Sequence, residues 1–438
     1  MTHSSPALSR PVSNVDFSQL LLDHGLSWEL DGYYLLCGDR ITTETHKMYF
    51  SVVVSQIPAF LSQLIPVLAS EQISFAVVKD EQSAITILNG LAGAAHVGKV
   101  LMIPIPKDLD NFLSLIGPVL TGFRGPVVPG KCRLAGHVYI DREVTGLKPD
   151  QPKVQVLAGK YLVLSSLKKD PKGEVLKALY LSGWFCPKRC IIKEGKALMI
   201  CDAALRDMGD RLKWQAALLN RLEDIIAVPL VLELFTENGN TYLVLERVSG
   251  QSMGKVIEKV YGGKDWSMLK RQQRFRLIAA MVKILSMVEQ VHLRGLLHRD
   301  LSTANFLLDQ KGDVYLIDWE LAFDLQRQYP LPPFGFGTPG FISPEQNLGK
   351  IPTVKEDIYG LSALMLSCFT GIKPREFRME DNAYLKAFVL AKTEDQALAE
   401  VIARGLKADP DQRPVLSELQ AVVENMPVRI NAGSEDYF

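Results

Sequence analysis

The sequence predicts an α+β chain in two folded parts: a smaller α/β unit over residues 1–145 and a larger unit over residues 159–430. A linker over 146–158 joins them. Three observations carry this expectation. The run Thr145-Gly146-Leu147-Lys148-Pro149-Asp150-Gln151-Pro152-Lys153 gathers turn formers and charges between two regions of regular apolar periodicity. Ahead of it, strand-like and helix-like patterns alternate. Behind it, strand patterns at residues 189–193 and 241–246 precede an apolar helix from Leu361 to Phe369.

In the smaller unit, residues 47–54 read as a strand, Ile57 to Leu68 as an amphipathic helix and residues 73–78 as a second strand. Ser83 to Leu91 fits a helix and residues 98–104 a further strand. A short helix from Asp108 to Ile116 is expected to stop at Gly117-Pro118, and Gly125-Pro126 closes the unit. In the larger unit, Arg189-Cys190-Ile191-Ile192-Lys193 is a strand ending in a lysine, residues 211–219 are helical, and residues 241–246 alternate as a strand before Val248-Ser249-Gly250. Asp357-Ile358-Tyr359-Gly360 opens an apolar helix from Leu361 to Phe369, and helices continue to about Glu424.

Composition bounds the function without naming it. With 438 residues, 47% hydrophobic and 22% charged, the chain can bury two or three cores. Lys plus Arg and Asp plus Glu balance at 49 each, which gives no electrostatic argument for nucleic acid or an anionic membrane and leaves a neutral protein or peptide partner open. No apolar run approaches the ~18 residues of a membrane span, and the first residues lack the pattern of a signal peptide, so a soluble, cytoplasmic protein is expected. The six cysteines are scattered and expected to be reduced thiols. Cys186 and Cys190 lack the second pair that a zinc site needs.

Chemistry is concentrated in three motifs in chain order: His298-Arg299-Asp300-Leu301-Ser302-Thr303-Ala304-Asn305, Leu316-Ile317-Asp318-Trp319-Glu320, and Gly337-Thr338-Pro339-Gly340-Phe341-Ile342-Ser343-Pro344-Glu345. Phosphoryl transfer needs an acid to orient the attacking hydroxyl, oxygen ligands for magnesium and a cation on the nucleotide phosphates. Asp300 is the candidate base, Asn305 and Asp318 the candidate metal ligands, and Lys193 the candidate cation.

The order and spacing of these motifs resemble the protein kinase signature. The resemblance implies ATP or GTP with Mg2+ as cofactors, and Gly173, Val175, Lys193, Gln215 and Glu246 around the nucleotide. It makes Asp357 a brace for the catalytic loop and pairs Arg413 with Glu345. Aminoglycoside and choline kinases share the D-x-x-x-x-N loop and an acidic I-D-W-E motif, but lack the Gly337–Glu345 element and its partner arginine. The substrate is therefore expected to be a peptide or protein, and Thr338 favours serine or threonine as the acceptor. Four positions depart from the kinase pattern. The nucleotide-covering segment 164–175 keeps one glycine, Gln215 stands where a glutamate is expected, Ser302 replaces a lysine, and Glu320 replaces the glycine of D-F-G.

The α/β unit ahead of a kinase carrying Asp318-Trp319-Glu320 resembles the front half of class III and class IV lanthipeptide synthetases. Those proteins join a phosphothreonine-lyase-like domain, a kinase and a zinc cyclase. The resemblance rests on Lys47 to Ser51, the strand around Phe75, Gly98-Lys99 and Gly125-Pro126, together with the kinase motifs. It implies a two-lobed protein-kinase-like fold (N-lobe 159–247, C-lobe 248–430) preceded by a smaller α/β phosphothreonine-lyase-like domain. No cyclase is expected, since only Asn425 to Phe438 follow the kinase helices.

The family carries an acid at the position of Tyr49 and a lysine base at that of Ala76. Lys79 falls on the opposite strand face from Ala76. The resemblance therefore implies a degenerate lyase, with Lys47, Tyr49 and Lys99 as candidate phosphopeptide contacts. The partners it implies are a precursor peptide with Ser or Thr and separate lyase or cyclase proteins; the oligomeric state is not legible. Two alternatives stand beside this reading: a signalling Ser/Thr kinase with an N-terminal sensor domain, and a non-catalytic peptide-binding scaffold.

Overall fold

The structure is a computed structural model that describes residues 15–39, 41–42, 45–146, 155–181, 188–377 and 381–426. Most of the expected linker, residues 147–154, lies outside the described residues, as do Cys186 and the tail from residue 427. By internal contacts the chain divides into two compact units, residues 11–213 with 232–245, and residues 214–231 with 246–438.

The first unit holds two sheets. The first has seven strands: β1 (Glu29–Asp31), β2 (Tyr34–Cys37), β3 (Lys47–Phe50), β4 (Phe75–Val78), β5 (Leu101–Pro104), β6 (Cys132–Ala135) and β7 (Val138–Ile140), in the order β1-β2-β4-β5-β3-β7-β6. Period-2 alternation gives this sheet two different faces. Met48, Phe50, Phe75, Val77, Leu101 and Ile103 pack on one side in a core with α2 (Ile57–Ser70) and α4 (Leu109–Leu120), which follow α1 (Ser18–Asp23) and flank α3 (Glu81–Leu88). Tyr49, Ala76, Met102 and Tyr139 belong to separate small clusters outside that core.

Helix α4 does not stop at Gly117-Pro118 but runs on to Leu120. A proline one turn from a helix end removes a single i→i−4 bond. Against that loss, Val119 and Leu120 pack on the same core as Phe112 and Ile116, and burial outweighs the break.

The second sheet comprises β8 (Val156–Leu157), β9 (Tyr161–Asp170), β10 (Gly173–Tyr180), β11 (Lys188–Gly195), β12 (Val231–Glu237) and β13 (Asn240–Glu246), in the order β12-β13-β11-β10-β9-β8. Leu176, Ala178, Ile192 and Val244 fill its core. Helix α5 (Met208–Leu222) lies between β11 and β12 in the chain. Among the described residues, Lys193 sits inside β11, two residues short of its end.

The other unit is mainly helical. It contains α6 (Met253–Tyr261), α7 (Arg271–His292), α8 (Pro344–Asn347), α9 (Val354–Thr370), α10 (Asn382–Thr393), α11 (Gln396–Gly405) and α12 (Leu416–Glu424). Its strands are short: β14 (Gln251–Ser252), β15 (Leu296–Leu297), β16 (Phe306–Leu308), β17 (Val314–Leu316) and β18 (Phe323–Asp324). Every residue of α9 from Glu356 to Thr370 is buried, so this helix is the axis of the unit. It starts three residues before Asp357, with Thr353 as its cap. No described helix is long and apolar enough to cross a membrane.

Candidate active site

Between β15 and β16 the backbone of the catalytic loop is pinned by one carboxylate. Asp357, at the start of α9, accepts from the N–H groups of His298 (3.0 Å) and Arg299 (2.8 Å) and faces His292 Nε2 at 2.9 Å. Burial pushes its carboxyl up, but the hydrogen bond from His292 and its neighbours outweigh this and hold it below the ordinary carboxylate range. Such support is needed because Arg299 has a left-handed φ of 65°. His298 is fully buried. Its Nδ1 accepts from Asp300 N–H (3.2 Å), so its Nε2 must carry the proton bonded to Ile317 O (3.0 Å). Burial lowers its pKa in agreement with that neutral tautomer.

Asp300 is held from two sides. Asn305 Nδ2 donates to its Oδ2 (2.7 Å) and to its carbonyl (2.8 Å), and Thr338 N–H donates to Oδ1 (2.8 Å). Burial raises the Asp300 pKa, and the negative charge of Asp318 raises it further. The carboxylate is thereby fixed in orientation and made more basic, the state a group needs to accept a hydroxyl proton. Asp318 also has a left-handed φ, 69°.

Two repelling carboxylates beside an amide fit a divalent cation. With Asn305 Nδ2 committed to Asp300, the side-chain oxygen Oδ1 is the atom left for a metal, and Asp318 supplies the charge. Magnesium at these oxygens would neutralise charge developing on the nucleotide phosphates.

The segment from Gly337 to Glu345 is anchored at its end by an ion pair. Arg413 donates from Nη1 and Nη2 to Glu345 Oε1 (2.6 Å) and Oε2 (2.8 Å), a bidentate pair buried on both sides. Gln346, not singled out in the sequence, bonds Arg299 O (2.8 Å) and Phe336 O (3.1 Å). Trp319 is fully buried with its ring edge-on to His298, centroids 4.7 Å apart.

On the other unit, Lys193 pairs in register with Val175 across β10 and β11. Gly173 (φ 149°) comes so close to Glu194 O that an added Cβ would lie 1.9 Å away, so strand packing alone requires a glycine here. Residues 164–175 form a tight β9–β10 hairpin, turning at Pro171-Lys172. Gln215, buried within α5, and Glu246, exposed at the end of β13, fall instead in the unit of residues 214–231 and 246–438.

In the seven-stranded sheet, Met102 is the register partner of both Tyr49 and Ala76, which sets the three in one row across β3, β5 and β4. Tyr49 Oη donates to Asp141 Oδ1 (2.9 Å), and Lys131 Nζ binds the same oxygen. Lys99 and Lys131 lie over the Tyr49 ring at 4.9 and 5.1 Å. Burial lowers the Lys99 pKa, and the charge of Lys131 adds to that. Lys47 Nζ binds Thr42 O, while its N–H binds Asp141 Oδ2 (2.6 Å). Ser51 meets three of the other marker residues: its Oγ donates to Pro126 O (2.6 Å), and a Cβ on Gly98 or Gly125 would collide with it. Lys131 and Asp141 were missed in the sequence because nothing local marks them.

The braced carboxylate and the buried arginine–glutamate pair both lie in the part of the chain that resembles known kinases. Residues 216–423 match the family model described as protein kinase domain. The chain is similar to a mitogen-activated protein kinase kinase of Nicotiana tabacum (26% identical, 40% of this chain, 47% of that one). It is also similar to serine/threonine-protein kinase PknA of Nostoc sp. (25%, 62% and 49%) and serine/threonine-protein kinase B of Synechocystis sp. (26%, 57% and 44%). The chain thus spans about half the length of these relatives. The domain match and these relatives support a Ser/Thr phosphotransferase.

Proposed function

We propose that this chain transfers phosphate from ATP or GTP to serine or threonine of a ribosomally made precursor peptide, in a lanthipeptide-like modification. The observation that carries transfer is the geometry at Asp300, oriented by Asn305 and Thr338 and made more basic by burial and Asp318. The acceptor hydroxyl gives its proton to Asp300, and its oxygen attacks the terminal phosphorus as the bond to the nucleotide diphosphate breaks.

Support for the peptide-modifying context comes from the N-terminal sheet. Gly98, Gly125 and Pro126 meet at Ser51, Tyr49 and Ala76 stand in one row, and Lys99 and Lys131 lie over the Tyr49 ring. That face offers cations for a phosphate but no group at Ala76 to take a proton. Separate lyase or cyclase proteins would then complete the modification.

The test is mass spectrometry of a Ser/Thr peptide incubated with the full chain, Mg2+ and nucleotide. A gain of about 80 Da per site is expected, and its absence with every Ser/Thr acceptor tried would overturn the reading. A signalling kinase acting on folded proteins is the second reading, favoured by the Ser/Thr kinases among the relatives. Genes for a short precursor and a lyase beside this one would decide against it.

A further inference from the structure

A cavity of about 660 Å3 lies beside the catalytic loop. Thr303, Ala304 and Thr338 line one side of it, α6 another, and the end of α9 with the turn Gly371–Arg375 a third. Thr338 is the residue whose N–H holds Asp300, so a chain that presents its hydroxyl to Asp300 must run its neighbouring residues past this opening. The turn is firmly seated: a Cβ on Gly340 of the substrate-side segment would lie 2.7 Å from Arg375 N.

The lining is cationic. Lys255, Lys264, Lys373, Arg375 and Lys392 line it together with two carboxylates, Glu258 and Asp265, and Asp265 is taken by Lys392 at 2.6 Å. No carboxylate among the described residues pairs with the other four cations, all of them exposed. A second, independent observation is Ser367. It lines the same cavity, is 4% exposed, and its Oγ has no hydrogen-bond partner in the structure. A buried hydroxyl in that state calls for a polar group from outside.

We propose that this cavity reads acidic side chains next to the phosphorylated residue, so that the substrate is a peptide segment whose Ser or Thr is flanked by Asp or Glu. The inference rests on the kinase reading and adds its substrate class. A carboxylate entering the cavity meets a field set by Lys255, Lys264, Lys373 and Arg375, and finds a hydroxyl donor in Ser367. Charge complementarity of this kind discriminates between partners more than it adds raw affinity.

Two fluorescent peptides with one central serine, flanked by Glu in one and by Gln in the other, test this on the full chain. Equilibrium anisotropy at low salt should give the Glu peptide a Kd smaller by about tenfold, an advantage that shrinks as salt is added. In a Lys373→Glu/Arg375→Glu double variant the ratio of the two Kd values should collapse towards one. A Lys373→Arg variant should keep it, and an unchanged melting temperature in both separates recognition from folding. Equal Kd values for the wild-type chain, or a ratio untouched by the double reversal, would overturn the proposal. Phosphate transfer is read separately by mass spectrometry: a preserved binding preference without transfer to either peptide counts against the kinase reading, and with it the substrate class, and leaves only the cavity's preference for acidic peptides.

Discussion

Arg299 Nε donates to Glu356 Oε2 at 2.7 Å, with both side chains sealed from solvent. Arg299 Nη1 also reaches the carbonyls of Leu321 (3.1 Å) and Phe334 (2.9 Å), so one guanidinium ties the catalytic loop to the segment between Asp318 and Glu345. Its counter-charge is a glutamate of α9. A phosphate is not needed to supply it. Between Asp318 and Glu345 the only hydroxyl residues are Tyr329, Thr338 and Ser343. Ser343 is buried as the cap of α8, and Thr338 is engaged with Asp300. Phosphatase treatment should therefore leave peptide phosphorylation within about twofold of the untreated chain; a large loss would show that the latch is incomplete.

The same pair makes stability depend on pH. Burial lifts the Glu356 pKa to about 7, against the pull of Arg299, and its Oε1 has no hydrogen-bond partner. A carboxyl whose pKa is raised on folding favours the folded state most when protonated. That contribution is complete below the unfolded value near ~4.3 and is lost as pH climbs through about 7. Glu356→Gln keeps an acceptor for Arg299 and removes the titration. Relative to this variant, the wild-type chain should lose on the order of 2–3 kcal/mol between pH 5 and pH 8. Denaturant midpoints at the two pH values measure it, and parallel curves would refute the assignment. Glu356→Ala should instead cost about 3–5 kcal/mol, because Arg299 is left buried and unpaired.

Catalysis should depend on the two repelling carboxylates. Asp300→Asn removes the proton acceptor and should lower kcat by ~10²–10⁴ with little change in KM for the peptide. Asp318→Asn should cost as much and raise the Mg2+ concentration needed for half-maximal rate. Because burial and Asp318 raise the Asp300 pKa, the acid limb of kcat/KM should sit above the range of an ordinary aspartate, with activity lost as pH falls through it. Near-wild-type rates in both variants would remove Asp300 and Asp318 from the chemistry.

What could be read in the sequence, and what could not, follows from distance along the chain. His298 to Asn305 are consecutive, and their chemistry needs little more than that spacing. Arg413 and Glu345 were legible as a pair only through the kinase resemblance. The partners of Tyr49 were not legible: Asp141 is 92 residues away and Lys131 arrives from the turn before β6, brought together only by strand order β5-β3-β7-β6. Glu356 was hidden for another reason. It stands next to Asp357, and no local pattern says which acid of a helix start turns inward to an arginine. Helix α4 ran past Gly117-Pro118 because tertiary packing overrode a local stop signal. The lone glycine of the nucleotide-covering segment has a steric cause at Glu194 that only strand register reveals.

The N-terminal sheet should not eliminate phosphate. Elimination needs one group to take the α-proton and another to protonate or hold the departing phosphate. Ala76 has nothing to accept a proton. Tyr49 already donates its hydroxyl hydrogen to Asp141, and burial, followed by that bond, pushes its pKa well above the usual phenol. Lys99, with its pKa lowered by burial and Lys131, retains the ability to contact a phosphate. The full chain, incubated with Mg2+, nucleotide and a Ser/Thr peptide, should accumulate phosphopeptide without dehydrated product. Ala76→Lys tests the missing base directly. If Tyr49 and Ala76 occupy the old acid and base positions, Ala76→Lys together with Tyr49→His should yield a trace of peptide about 18 Da lighter than the starting peptide. Dehydrated peptide from the unaltered chain would place an active acid and base on this sheet and end the pseudo-lyase reading.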